Sequence, residues 1–260
     1  MIEVIDVHKR YFTEHGMGPW VLTGVNLNIP TGCSVGLVGG NGAGKSTLLR
    51  IIGGVDYPTK GEVIRHCNVS WPMGFGGGIQ HSLTGRQNAK FVARIHGLED
   101  EIPRIVEQVQ AFAEIGEAFD RPVRTYSSGM KSRLQFGLSL AFDFDVYISD
   151  EVTATGDKQF QQKAAKAFKD KVGKASLIMV SHSEKTLKDF CQAGIWLHNG
   201  TAHWFDQIDD AIRAYHDSIS LSRSCPLPLP PSPRAACSGC AKNRCVQSRP
   251  LPAHAAPFTG

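Results

Sequence analysis

Gly39-Gly40-Asn41-Gly42-Ala43-Gly44-Lys45-Ser46-Thr47 decides the reading of this 260-residue chain. The stretch matches G-x-x-x-x-G-K-[ST]. It stands between an apolar run, Ser34 to Val38, that reads as a buried strand and a segment, Lys45 to about Ile52, that reads as a helix. Its glycines let backbone N–H groups converge on phosphate oxygens without Cβ clashes. Lys45 is then placed to reach the β- and γ-phosphates of a nucleotide and the Ser46 hydroxyl to coordinate Mg²⁺. The start of the helix adds its positive dipole end.

Working outward, Val146-Tyr147-Ile148-Ser149-Asp150-Glu151 is a second apolar run, ending in two adjacent acids. A carboxylate at the end of a buried strand beside the glycine loop suits the second shell of Mg²⁺, which assigns Asp150 to the metal. Glu151 points the other way along the strand and can polarise an attacking water as a general base. Together the two motifs read as a P-loop NTPase and leave its subclass open.

The surrounding pattern predicts an α/β fold. Ile2, Val4 and Val7, then Val25, Leu27 and Ile29, alternate with polar residues and read as antiparallel strands. Ile102, Ile105, Val106, Val109, Phe112 and Ala113 recur at helical spacing. Val146 to Ile148 and Ser176 to Val180 read as buried strands with a polar amphipathic helix, Gln159 to Val172, between them. That βαβ order predicts a parallel sheet with right-handed crossovers. Gly194 to Phe205, centred on Asn199-Gly200, reads as a closing hairpin.

Composition narrows the function classes. The chain has 28 basic and 24 acidic residues, but Arg223, Arg234, Lys242, Arg244 and Arg249 all follow the last acid, Asp217. The body is near neutral and offers no broad nucleic-acid-binding face. Met1-Ile2-Glu3-Val4-Ile5-Asp6 does not read as a signal peptide, and no apolar run reaches the roughly 20 residues that span a bilayer. The expectation is a soluble cytoplasmic protein held at a membrane only by a partner. Pro226, Pro228, Pro230, Pro231, Pro233, Pro250, Pro252 and Pro257 crowd the last segment with Cys225, Cys237, Cys240 and Cys245. The cysteine spacing is irregular for zinc. Residues 220–260 are expected to be a disordered, non-native tail after a domain spanning 1–219.

The subclass comes from Tyr126-Ser127-Ser128-Gly129-Met130-Lys131, which opens a helix (Lys131 to Ala141) before the acidic pair. On its own Ser127 reads as an ordinary helix N-cap. In this position the segment resembles the signature of the ABC ATPases, usually Leu-Ser-Gly-Gly-Gln, with Ser128 in place of the first glycine and Met130 in place of the glutamine. The resemblance implies that Ser127, Ser128 and Gly129 face the γ-phosphate held by a second copy of the chain. It implies a fold with a mixed-sheet core, an antiparallel β subdomain and a small α-helical subdomain at about 85–142. It also makes His182, in Val180-Ser181-His182, the switch histidine of catalysis and Asp157 a dimer contact. Gln80 resembles the glutamine that senses Mg²⁺ and couples to a membrane partner, a plain loop glutamine being the alternative. Tyr11 resembles the aromatic that stacks on adenine, a core tyrosine being the alternative.

Ser70-Trp71-Pro72, Gly74-Phe75-Gly76-Gly77-Gly78, Ser82-Leu83-Thr84-Gly85, Lys90-Phe91-Val92-Ala93-Arg94 and Ser149-Asp150-Glu151-Val152-Thr153-Ala154 look like the ATP-binding subunits of capsular polysaccharide exporters. O-antigen and teichoic-acid exporters are more distant relatives. The resemblance implies ATP and Mg²⁺ as cofactors, a second copy and an integral membrane permease as partners, and a place on the cytoplasmic face of the inner membrane. Two rival classes are a soluble ABC ATPase acting on ribosomes or DNA and a regulator without catalysis. One P-loop and a body without basic excess argue against the first. The intact Lys45, Asp150, Glu151 and His182 argue against the second.

Overall fold

The computed structural model describes residues 1–14, 16–73, 79–150 and 158–224. Two sheets and a helical lobe share the chain. The first sheet is antiparallel, with β1 (Ile2–Thr13) between β2 (Gly16–Ile29) and β4 (Lys60–Arg65). The second has the order β5-β6-β7-β3-β8-β9, from β5 (Val69–Met73) through β6 (Val146–Asp150), β7 (Ser176–Val180), β3 (Val35–Val38) and β8 (Ala193–His198) to β9 (Thr201–Phe205). Its first five strands run parallel, and the β8–β9 hairpin adds one antiparallel edge, as the Asn199-Gly200 turn predicts.

Strand alternation divides this sheet between two cores. Val35, Leu37, Val146, Ile148, Ile178 and Val180 face the antiparallel sheet and α1 (Lys45–Ile52). Val38, Tyr147, Leu177 and Met179 face α5 (Lys158–Val172), α6 (Glu184–Phe190) and α7 (Ile208–Ser224). Helix α1 buries Leu48, Leu49, Ile51 and Ile52 completely, each worth about 1.5–3 kcal/mol relative to exposure. Arg65 on β4 closes its far end by donating from Nε to the Ile52 carbonyl at 2.6 Å, so a cation meets the negative end of the helix dipole.

A third core lies in the helical lobe, built by α2 (Gly85–Ile95), α3 (Ile102–Ala113) and α4 (Ser128–Ala141). The lobe runs from Gly85 to Ala141. Two boundaries differ from expectation. Helix α4 starts at Ser128 rather than Lys131, because the Ser127 side chain caps it. Helix α7 runs on to Ser224, past the expected domain end at 219. The proline- and cysteine-rich residues beyond it lie outside the described residues.

Candidate nucleotide-binding site

Strand β3 lies between β7 and β8, and its carboxyl end opens into the glycine loop. Ligands of parallel α/β sheets bind at such carboxyl ends. The register brings three strands to the same level: Leu37 pairs with Val180, and Val180 with Asp150. The loop is shaped by glycines that no other residue can replace without strain. Gly39 has φ +154°, and a Cβ there would stand 2.4 Å from the Leu197 carbonyl oxygen. Gly44, at φ +100°, caps α1 in the left-handed region and hands the chain into the helix through the Leu48 N–H to Gly44 carbonyl bond of 2.9 Å.

The result is a cavity of about 320 Å³ lined by Asn41, Gly42, Gly44, Lys45, Ser46, Thr47, Asp150 and His182, with Val21 and Val180 as apolar walls. The Lys45 ammonium donates to the Gly39 carbonyl at 2.7 Å and to the Gly40 carbonyl at 2.9 Å, which holds it over the loop. An ammonium and a helix start suit a polyphosphate. The hydroxyls of Ser46 and Thr47 together with the Asp150 carboxylate supply the oxygen donors a hard divalent cation takes. The residues present therefore fit a nucleotide triphosphate with Mg²⁺. Val21 was not legible in the sequence: it comes from β2, and only the packing of the antiparallel sheet over α1 brings it to Gly44, where a Cβ would stand 3.2 Å from its Cγ1.

The other candidates fall in different places. Tyr11 does not line the cavity but reaches its edge, its hydroxyl 3.4 Å from Thr47 Oγ1. Ser127 is in the helical lobe, where its Oγ accepts the Met130 N–H at 3.2 Å, and neither it, Ser128 nor Gly129 lines the cavity. Tyr126, next to it, is buried and donates to the Ala118 carbonyl at 2.7 Å; burial raises its pKa. Glu151 and Asp157 lie outside the described residues.

Gln80 lies on a separate, mainly apolar groove of about 280 Å³ with Trp71, Ile79, Phe91, Ile95 and Gln135. Asn88, fully buried, holds this turn. Its Oδ1 accepts the Gln80 N–H at 2.8 Å, and its Nδ2 donates to the carbonyls of Gln80 at 3.0 Å and Thr84 at 2.9 Å. The same turn is stitched to the segment before the Ser127 helix: Val123 N–H donates to the Leu83 carbonyl at 2.9 Å and Arg124 N–H to the His81 carbonyl at 2.8 Å. At the groove, His96 packs its ring 5.4 Å from Trp71 and from Phe142, and partial burial lowers its pKa. No helix among the described residues is long and apolar enough to cross a membrane, and among them no cluster of His, Cys, Asp and Glu forms a metal centre of protein side chains alone.

The family model described as ABC transporter matches residues 22–154. The chain is 48% identical over 216 residues to the polysialic acid transport ATP-binding protein KpsT of Escherichia coli, covering 83% of this chain and 96% of that one. It is 41% identical over 219 residues to the ATP-binding protein BexA of Haemophilus influenzae, with 84% and 99% covered. A solved dimeric ATP-binding cassette in a post-hydrolysis state, bound to ADP and Pi, superposes with a TM-score of 0.60 at 23% identity, over 80% of this chain and 99% of that one. At that identity the likeness speaks for the fold.

Proposed function

This chain belongs to the ABC transporter family, and from that premise we propose that it is the ATP-hydrolysing motor subunit of an exporter that moves capsular polysaccharide across the inner membrane. One observation carries the mechanism. The glycine loop, Lys45, Asp150 and His182 line one cavity, whereas the Ser127 turn belongs to the other lobe and lines none of it. A second anion-type site that does not face its own nucleotide has its use toward the nucleotide of a second copy.

In this reading the loop N–H groups and Lys45 bind the β- and γ-phosphates, and Tyr11 carries the adenine. Ser46 and Asp150 would hold a divalent cation, which would supply neutralising charge at the phosphate oxygens, and Gln80 would report on it from the neighbouring groove. Glu151 takes the proton of the attacking water, and His182, at the exit of β7, contacts the γ-phosphate side. Ser127, Ser128 and Gly129 of one copy close on the phosphates of the other, with Asp157 at the dimer contact. The groove beside Gln80, with half-exposed Phe91 and largely exposed Ile95 on α2, receives an apolar segment of the membrane permease and holds the subunit on the cytoplasmic face. The capsule assignment rests on the names of the relatives, among them polysialic acid transport for KpsT.

Mixing two inactive chains tests the shared site. Ser127→Arg and Lys45→Ala are each expected to abolish hydrolysis. In their heterodimer one site carries both lesions and the other carries neither, so activity returns in part. A mixture as inactive as its parents rules out composite sites. For the cargo, deleting the gene is expected to leave capsular polysaccharide inside the cell; normal surface polysaccharide would reject that assignment.

A further inference from the structure

The turn after α1 contains a carboxylate, Asp56, each of whose oxygens accepts from a residue of the first strand. Val55 and Asp56 both donate their N–H groups to the Arg50 carbonyl, at 2.9 and 3.2 Å, so this turn is fixed to the helix that begins with Lys45, Ser46 and Thr47. Asp56 Oδ1 accepts the Lys9 ammonium at 2.6 Å and the Tyr57 N–H at 2.8 Å. Its Oδ2 accepts the Tyr11 hydroxyl at 2.9 Å. Lys9 is almost buried, donates also to the Tyr57 carbonyl at 2.6 Å, and places its ammonium 4.7 Å from the centre of the Tyr11 ring. Burial alone would raise the Asp56 pKa, but the hydrogen bonds from Lys9, Tyr11 and Tyr57 together outweigh it and hold the carboxyl below its usual range.

The geometry is that of a tether. A phenol has one hydrogen, and the charged oxygen of Asp56 is its stronger acceptor. With its hydroxyl fixed and Lys9 over the ring, Tyr11 still remains 38% exposed. We propose that Asp56 is the positioning residue for base binding: it locks the Tyr11 ring to the phosphate-binding helix, so that base and phosphates are read in one fixed register. A ring ordered before binding loses no rotamer freedom when the base stacks on it. The inference rests on Tyr11 being the base-stacking residue.

Competition binding on the full chain, with Mg²⁺-ATP and Mg²⁺-tripolyphosphate as parallel probes, tests it. Asp56→Ala is expected to weaken ATP about tenfold, the worth of one charge-assisted hydrogen bond, and to leave tripolyphosphate, which has no base, unchanged. Asp56→Asn, with one acceptor oxygen where the carboxylate uses two, is expected to recover only part of the ATP affinity. Tyr11→Phe keeps the ring, cuts the tether from the other side, and is expected to repeat the Asp56→Ala pattern even if that variant folds poorly. Equal losses for both probes would overturn the proposal, since Asp56 would then serve the helix alone. So would ATP affinity unchanged in Asp56→Ala and Tyr11→Phe while Tyr11→Ala loses it. Unchanged ATP affinity in Tyr11→Ala would instead reject the base-stacking reading itself.

Discussion

The nucleotide lobe and the helical lobe shape their loops and turns from different materials. In the nucleotide lobe the shape comes from backbone: glycines with conformations closed to other residues and the aligned ends of β3, β6 and β7. In the helical lobe it comes from side chains that hold turns in place. Asn88 clamps the Gln80 turn, Tyr126 is pinned to Ala118, and Thr84 and Gln87 form a reciprocal cap at the start of α2. Arg86 forks onto Asp120 at 2.6 and 3.1 Å and holds the Asp120 carboxyl below its usual range. In the helical lobe the groove turn and the segment before Ser127 are hydrogen-bonded to one another.

The largest expected effects lie in the nucleotide lobe, where catalysis and binding should separate. Glu151→Gln is expected to retain ATP binding and lower turnover by about 10²–10⁴-fold, since the cradle survives and the base is lost. Lys45→Ala is expected to weaken binding itself by roughly 10- to 100-fold. Phosphate release and nucleotide titration separate the two; normal turnover in Glu151→Gln would remove that residue from the role of base.

Asn88→Ala acts on the other lobe. It leaves the Gln80 N–H without its acceptor and takes a second donor from the carbonyls of Gln80, Leu83 and Thr84, at a cost of about 1–3 kcal/mol in chemical denaturation. ATP affinity should hold while hydrolysis falls. A parallel loss of ATP affinity would show that the two lobes act as one unit.

At Ser127 the observed cap and the proposed contact with a second copy's nucleotide fall on one side chain, and substitution separates them. Ser127→Ala should cost about 1 kcal/mol of stability through the lost cap. Ser127→Asp keeps a cap of about equal strength but sets a carboxylate toward the phosphates of the second copy. Its stability is therefore expected to match the parent while hydrolysis drops. Hydrolysis unaffected by Asp would leave Ser127 a cap only.

Particular elements show why one lobe was more legible than the other. The glycine loop and the strands at Val35–Val38, Val146–Asp150 and Ser176–Val180 lie where the sequence predicts them, because their signals are local: continuous apolar runs bounded by turns. Helix α2 had no such signal, since the residues it buries are Gly85, Asn88, Ala89, Val92 and Ala93, mostly small or polar. Helices α6 and α7 were likewise not anticipated as elements. Asn88 reads as a surface residue until the turn it holds folds back over it.

What the sequence determined by itself was therefore the phosphate chemistry: Lys45, Ser46 and the Asp150 strand end are fixed by spacing within single strand–loop–helix units. Tertiary structure decided which distant residues complete that chemistry. Val21 from β2 walls the cavity, Asp56 ties Tyr11 to α1 across 45 residues of chain, and Gln80 lies on the groove rather than in the phosphate cavity. The physical reason is that a local motif is specified by backbone conformation and periodicity. A contact between segments far apart in the chain exists only after burial of the three cores has brought them together.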